Sequence, residues 1–254
     1  MSIRLRYLGF SGFEITSREG CRLVIDPFLE GSEAYSVPPS PISIESLAQT
    51  DLVLVSHGAF DHRGQAVEIV KQSNALLACG PEVRIHAIDR GIPEERIVYL
   101  LSGCTLDFNG LVIKALDVRH VSFFQSGTQW LSGQPLSFML KLKGGPTIYH
   151  SGDTSLFSDL KLFGELHQPD LALLGVGGLL HHGLEIVPLP PEEAALALEW
   201  LGAPMAIPMH YLPDSNAAER FKATVEKRSG ARVYIMEPGE AIDLDQKLMK
   251  RVKD

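Results

Sequence analysis

Four apolar, strand-like runs in this chain each end at side chains that can bind a metal ion. The runs read LVLVSHGAFDH, LVIKALDVRH, TIYHSGD and MAIPMHY, and the residues at their ends are His57, Asp61, His62, His120, Asp153 and His210. In a parallel or mixed sheet the carboxyl ends of the strands lie along one edge, where ligand sites form. The sequence therefore predicts that histidines and carboxylates far apart along the chain meet at one metal centre.

The composition narrows the classes of partner. The chain has 254 residues, of which 45% are hydrophobic and 21% charged, which is typical of a soluble globular protein with a large core. Its net charge is −8, and no basic cluster follows a path that could bind a phosphate backbone. We therefore expect one domain over residues 1–254 that binds neither nucleic acid nor membrane. A homo-oligomer is compatible with this sequence.

The N-terminus and the cysteines indicate the cellular compartment. The opening MSIRLRYLGF alternates apolar and basic residues as a strand does, and is unlike a signal peptide. No apolar run reaches the roughly 20 residues that a membrane span requires. Cys21, Cys79 and Cys104 lie in or beside apolar runs without a CxxC spacing, which favours reduced, buried thiols. We expect a cytoplasmic protein.

The order of elements predicts an α/β fold. Short strands dominate the start of each half of the chain, and helices follow them at about 63–72, 155–167 and 216–228 and after Pro190. Residues 121–135 are predicted to form a loop. Its aromatic residues Phe123, Phe124 and Trp130 either line a pocket or hold the loop on its own domain. Two sheets with helices outside them explain this order best.

The spacing of the first run favours a loop over a helix as the source of its ligands. A tight loop after a strand turns His57, Asp61 and His62 toward one point, whereas a helix would place the last of them on another face. Neutral imidazoles and carboxylates suit Zn, Mn, Fe or Ni, and two cations can share one carboxylate. We expect one or two divalent metal ions per chain.

With these motifs in their observed order, the chain resembles the metallo-β-lactamase superfamily, and within it the metal-dependent hydrolases related to ascorbate-6-phosphate lactonase. The resemblance covers nearly the whole chain and rests on YLGFSGFEI, LVIDPFLEG, SHGAFDHRG, the segment from TIYHSGD to LALL, PPEEAALAL, IPMHY and MEPGE. It implies an αββα four-layer sandwich, in which two mixed sheets are flanked by helices. It also implies a binuclear metal centre in a cleft at the sheet edges.

The resemblance assigns a role to each candidate residue. His57 and His120 belong to the first metal position, and Asp153 bridges the two positions. The second position takes Asp61, His62 and His210. Asp26, in the segment VIDPF, matches an acid that orients a ligand histidine from behind.

Two residues depart from the family pattern. The motif HxHxDH has a second histidine where this chain has Ala59, and the opening segment LGHS has a histidine where this chain has Phe10. The first position therefore retains only His57, His120 and the bridging carboxylate. We expect one firmly held metal and a second that is weak, absent or completed by another group.

The segment GVGGLLHHGLEIVP leaves two alternatives open. In relatives this loop lies beside the metal cleft, and it is written differently here. One of His181 and His182 either replaces the missing imidazole or contacts substrate, or the two histidines are simply solvated.

These residues predict a metal-dependent hydrolase acting on a small ester, lactone or phosphoester through a metal-bound hydroxide, at a centre altered by Ala59. Asp61 is the candidate catalytic residue because it is placed to hold or receive the proton of the attacking water. The alternative is a non-catalytic or regulatory binding module that retains the fold with a degenerate metal site.

Overall fold

The computed structural model describes residues 2–181 and 184–244 of the chain. Two seven-stranded mixed sheets face each other, and helices cover the outer side of each sheet. Two further strand pairs form separate hairpins. This is the αββα four-layer architecture, and the predicted fold class is confirmed.

The first sheet is formed mainly by the N-terminal half. Its strands are β1 (Arg4–Gly9), β2 (Gly12–Thr16), β3 (Arg22–Ile25), β4 (Leu52–Val55), β5 (Leu76–Cys79), β6 (Ile97–Tyr99) and, from the C-terminal half, β18 (Ala241–Asp243). They lie in the order β18-β1-β2-β3-β4-β5-β6. Pairing is antiparallel from β18 to β3 and parallel from β3 to β6, so β3 and β4 end at the same edge.

The second sheet belongs to the C-terminal half. Its strands are β7 (Thr105–Phe108), β8 (Leu111–Asp117), β11 (Leu136–Leu142), β12 (Thr147–His150), β13 (Leu171–Gly175), β16 (Met205–Met209) and β17 (Arg232–Val233), in the order β17-β16-β13-β12-β11-β8-β7. Strands β12, β13, β16 and β17 are parallel, and the others pair antiparallel. This arrangement places the ends of β12 and β16 at one edge.

Helices lie outside both sheets. The α-helices are α1 (Phe60–Arg63), α2 (Ala66–Gln72), α3 (Pro81–Asp89), α4 (Asp159–His167), α5 (Pro191–Leu201) and α6 (Ala217–Arg228), and 3₁₀ helices occupy Glu33–Tyr35, Ile44–Leu47 and Glu94–Arg96. Apolar residues of α2 and α3 pack on the first sheet, and those of α4, α5 and α6 pack on the second. None of the described helices is both long and apolar enough to span a membrane.

The main core lies between the two sheets. Alternate residues of the central strands point into it, so that Leu23 and Ile25 of β3 face the same interior as Phe138 and Leu140 of β11. All four side chains are almost fully buried. At about 1.5–3 kcal/mol for each large apolar side chain that leaves water, this layer stabilises the sandwich that brings the two sheet edges together.

The prediction of a loop over residues 121–135 was wrong. The segment forms a hairpin of β9 (Ser122–Ser126) and β10 (Gln129–Gly133), which turns at Gly127 with a positive φ of 57°. Residues of β9 alternate between buried and exposed, but Ser122 and Ser126 occupy the buried face. Because these inward residues are polar, the hydrophobic pattern concealed the strand.

Helix boundaries also differ from the prediction. The helix expected at 63–72 is two short helices, α1 and α2, separated at Gly64, whose φ is +37°. Any Cβ at this position would lie 2.1 Å from the carbonyl oxygen of Pro27. Asp61 and His62 lie in the one-turn helix α1 rather than in the predicted tight loop. Helix α4 begins at Asp159, four residues later than expected.

Candidate metal centre

Each sheet contributes its strand ends to one buried cluster. From the first sheet, Asp26 follows β3 and His57 lies two residues beyond β4. From the second, Asp153 follows β12 and His210 directly follows β16. The packed core holds both sheet edges in place, so the sequence brings distant residues together through the fold rather than through one local loop.

The metal-capable side chains form two groups. In each group the ligand atoms lie within 4.8 Å of one another. The first group is His57, His120 and Asp153, and the second is Asp61, His62 and His210. The structure thus brings together all six residues predicted as ligands, and their role in metal binding stays a prediction.

Asp153 lies between the two groups. Its Oδ2 atom is 3.3 Å from Nε2 of His120, 3.8 Å from Nε2 of His210 and 4.0 Å from Nε2 of His62. One carboxylate oxygen therefore faces imidazoles of both groups, as a bridging ligand requires.

Asp26 lies behind His62 and holds its ring. Oδ2 of Asp26 is 2.9 Å from Nδ1 of His62 and also accepts the Ser56 hydroxyl at 2.7 Å, while Oδ1 accepts the Ser56 backbone N–H at 2.7 Å. Because the carboxylate can only accept, it selects the tautomer with the proton on Nδ1 and leaves Nε2 as a lone-pair donor. The contact supports the orienting role expected for Asp26, which stays a prediction.

Within the described part of the chain, two imidazole nitrogens at this centre are buried without a hydrogen bond. Among the described residues, Nε2 of His57 and Nε2 of His62 have no hydrogen-bond partner, although both rings are buried. An unsatisfied buried polar atom costs about 1–3 kcal/mol, which a metal ion at this position would offset. The two nitrogens and the nearby carboxylates form a donor set that fits a divalent cation.

The protonation states also suit metal binding. Burial, followed by the charge of His62, lowers the pKa of His57 to about 3, so its imidazole is neutral at neutral pH. Burial raises the pKa of Asp61, but the hydrogen bond with His210 and the charge of His62 outweigh burial and hold that pKa well below its usual range. Asp153 likewise has a lowered pKa, because the charges of the surrounding histidines outweigh its burial.

His210 behaves differently in the metal-free protein. Burial lowers its pKa, but the charge of Asp153 and the hydrogen bond to Asp61, at 3.2 Å, outweigh burial and raise the pKa to about 9. A cation that binds His210 at neutral pH must therefore displace a proton. His210 also has a φ of +57°, and its N–H donates to the carbonyl of Phe10, whose own φ is +49°. Such conformations cluster at functional sites.

The two departures from the family pattern both lie at this centre. Ala59 is half-buried at the start of α1 and has no side-chain donor. The ring of Phe10 lies 4.4 Å from the ring of His210. Including the shared Asp153, the group of Asp61, His62 and His210 therefore has four donors, and the group of His57 and His120 has three.

Sequence reasoning missed several supporting residues. His86 is buried, and its Nδ1 lies 2.7 Å from the Ser126 hydroxyl. The sequence did not indicate this contact, because Ser126 belongs to a strand that the hydrophobic pattern did not reveal. Ser11, also missed, is fully buried, and its hydroxyl donates to the backbone carbonyl of Asp61 in α1.

The remaining candidates are His181, His182 and the aromatic residues of the β9–β10 hairpin. His182 lies outside the described residues, and of His181 only the backbone is described, at the end of β14 (Leu179–His181), which pairs with β15 (Leu184–Ile186). Their proposed roles stay predictions. On the β9–β10 hairpin, Phe124 is buried, whereas Phe123 and Trp130 stack on each other at 4.8 Å and are 56% and 62% exposed.

Comparison with known proteins identifies the family to which the chain belongs. A family model described as the beta-lactamase superfamily domain matches residues 21–211. A UPF0173 metal-dependent hydrolase of Methanopyrus kandleri is 35% identical over 246 residues, which cover 95% of this chain and 100% of that protein. One from Pelotomaculum thermopropionicum is 37% identical, again over 95% and 100%.

A solved structure shows the same fold. Igni18, a metallo hydrolase from the archaeon Ignicoccus hospitalis, superposes with a TM-score of 0.79 at 28% identity and covers 96% of this chain and 99% of its own. This likeness supports the αββα fold described above.

Proposed function

Since the chain belongs to the beta-lactamase superfamily and is a metal-dependent hydrolase of that fold, we propose that it cleaves a small ester, lactone or phosphoester. The observation that supports this most strongly is the pair of donor groups joined by Asp153. We propose that His57, His120 and Asp153 hold one metal ion and that Asp61, His62, His210 and Asp153 hold the other.

The exposure of the donors supports a small substrate. The side chains of His62 and His210 are at most 3% exposed and that of Asp61 is 7% exposed, whereas His120 is 17% exposed. We infer that substrate enters from the His120 side. Donors this deeply buried favour a small molecule, or the end of a larger one, over an extended polymer.

A divalent metal at this centre would polarise the scissile carbonyl or phosphoryl group and make water acidic enough to attack it near neutral pH. The protein supplies the rest. Asp61 is a carboxylate at neutral pH, because its pKa is held low, and it can therefore accept a hydrogen bond from the attacking water and receive its proton. Asp26 and Ser56 hold His62 in one orientation, so that its Nε2 points into the centre.

A substrate panel tests this function. We expect the metal-loaded protein to hydrolyse at least one lactone, aryl ester or phosphoester, and the metal-free protein to hydrolyse none. Asp61→Asn should lower kcat by about 10²- to 10⁴-fold. Asp170→Asn is the matched control, because that carboxylate accepts the backbone N–H of Thr147 at 2.9 Å in a purely structural role. Metal binding with no turnover of any compound would instead favour a binding module.

A further inference from the structure

Gly58 separates the candidate ligand His57 from Ala59, and both of its backbone groups bond to side chains. Its N–H donates to the hydroxyl of Ser122 at 2.9 Å, and its carbonyl accepts Nε of Arg63 at 3.0 Å. The N–H belongs to the peptide unit that joins His57 to Gly58, and the carbonyl belongs to the unit that joins Gly58 to Ala59, so neither unit can rotate without breaking a hydrogen bond. Rotation here would also move the His57 ring.

The first of these contacts continues to helix α3. The Ser122 hydroxyl donates to Oε1 of Glu82 at 2.7 Å, and both side chains are almost fully buried. A hydroxyl has a single proton to donate and two lone pairs. Because the proton of Ser122 goes to Glu82, a lone pair of its oxygen faces the N–H of Gly58. Glu82 thus fixes the orientation in which the Ser122 hydroxyl accepts this hydrogen bond.

The second contact leads to the same helix. Nη1 of Arg63 lies 3.3 Å from Nε2 of His86, whose Nδ1 lies 2.7 Å from the hydroxyl of Ser126. Arginine can only donate, so Nε2 of His86 must accept and Nδ1 must hold the ring proton. Burial lowers the pKa of His86 to about 4, in keeping with a neutral ring.

The two chains of hydrogen bonds have matching spacings. Glu82 and His86 are four residues apart on one face of α3, and Ser122 and Ser126 are four apart on the buried face of β9. Between them the ring of Phe124 lies against Gly58, so close that a Cβ at this glycine would lie 1.9 Å from a ring carbon. The β9–β10 hairpin thus packs tightly against the segment 57–59, which carries His57.

We propose that Ser122, Glu82 and His86 are positioning residues of the metal centre, which act by holding the backbone on both sides of Gly58 and with it the ring of His57. The proposal rests on the proposed function in one respect, that His57 binds metal. None of the three residues belongs to the donor groups, and each acts through Gly58 or Arg63. Together they stabilise the metal position that Ala59 leaves with fewer donors.

Ser122→Ala tests the first chain. Removal of the hydroxyl leaves the Gly58 N–H without its acceptor, so we expect this amide to exchange with solvent at least about tenfold faster in the metal-free protein. Metal affinity of the weaker position should fall by about 10- to 100-fold, as for other residues that orient a ligand. Ser122→Thr, which keeps the hydroxyl, should restore both values.

Ser73→Ala is the matched control. Ser73 is buried, donates to the carbonyl of Ile69 at 2.7 Å and accepts the N–H of Ala75 at 3.2 Å. It lies at the end of α2 and makes no hydrogen bond to the segment 57–59 among the described residues. Its loss should lower stability to a similar extent and leave Gly58 exchange and metal affinity unchanged. Equal effects of Ser73→Ala and Ser122→Ala on both readouts would overturn the proposal.

His86→Phe tests the second chain independently. The phenyl ring keeps the bulk of the side chain but cannot accept from Arg63, so exchange of Gly58 should again accelerate and metal affinity should fall. Parental exchange and affinity in both His86→Phe and Ser122→Ala would overturn the proposal. Amide exchange and metal titration require no turnover. Their change in a protein that hydrolyses nothing would therefore refute the proposed function and leave this proposal standing.

Discussion

Oδ2 of Asp26 lies 2.9 Å from Nδ1 of His62, and neither side chain is exposed to solvent. Burial raises the pKa of Asp26, but the charge and hydrogen bond of His62 outweigh it and lower that pKa. Burial lowers the pKa of His62, but the charge and hydrogen bond of Asp26 outweigh burial and raise that pKa. A buried carboxylate in this position directs the histidine lone pair into the metal centre.

Asp26→Asn should weaken metal binding by about 10- to 100-fold, because a neutral carboxamide supports the His62 tautomer less strongly. Metal titration of the apo-protein measures the effect. Asp51→Asn is the control, since Asp51 accepts the backbone N–H of Arg22 at 2.8 Å in a loop away from the centre. Equal affinities for the parent protein and Asp26→Asn would refute the orienting role.

Ala59→His should tighten the weaker of two metal-binding steps. A histidine here would add an imidazole donor to the group of His57 and His120, at a bond length of about 2.0–2.1 Å. Titration of both apo-proteins should show one tight and one weak step in the parent and two tight steps in Ala59→His. Ala59→Leu, which adds bulk without a donor, is the control. Unchanged stoichiometry and affinity in Ala59→His would mean that the centre is built for one metal.

Metal affinity should rise with pH between 7 and 9. The pKa of His210 is raised to about 9 in the metal-free protein, so below that value a bound proton competes with the metal. One displaced proton corresponds to about tenfold in affinity per pH unit. Calorimetry in buffers of different ionisation enthalpy counts the released protons, and a pH-independent affinity over this range would contradict the assignment.

The same shift has the opposite consequence for the stability of the metal-free protein. Because the folded pKa of His210 exceeds its ordinary value of 6.5, its contribution is fully present below about pH 6.5 and is lost as pH rises through about 9. Thermal unfolding of apo-protein across this range should show a falling Tm, and the metal-loaded protein should not show this loss.

Gly152→Ala should destabilise the protein more than Gly202→Ala. Both glycines have positive φ, of 54° and 65°, so each substitution costs about 1–2 kcal/mol in backbone strain. A Cβ at Gly152 would also lie 2.5 Å from the carbonyl oxygen of Leu136, whereas nothing lies within 4 Å at Gly202. We expect an additional cost of about 1–3 kcal/mol from crowding, measured by denaturant unfolding. Equal costs would contradict the close fit beside Asp153.

The sequence predicts the sheet edges well because strand ends are local signals. The run before His57 is fully buried, as is the run before His210, and continuous apolar runs of this kind are typical of strands covered on both faces. Given the fold, the convergence of the six candidate ligands follows from the topology alone.

The supporting contacts could not be predicted in the same way. Ser122 and Ser126 lie on the buried face of the hairpin from 122 to 133, so its sequence lacks the apolar–polar alternation that indicates a strand. Because that strand was not predicted, the hydrogen bond between His86 and Ser126, which lie 40 positions apart, could not be predicted either. The break at Gly64 depends on the close approach of Pro27, which is a tertiary contact.

Anomalous diffraction from crystals of the metal-loaded protein, collected at the absorption edge of the added metal, tests the metal centre most directly. The strongest peak should lie about 2.0–2.2 Å from ligand atoms of Asp61, His62 and His210, with Asp153 Oδ2 facing it. A weaker peak should lie beside His57 and His120. A metal bound elsewhere, or no peak at these six side chains, would contradict the assignment.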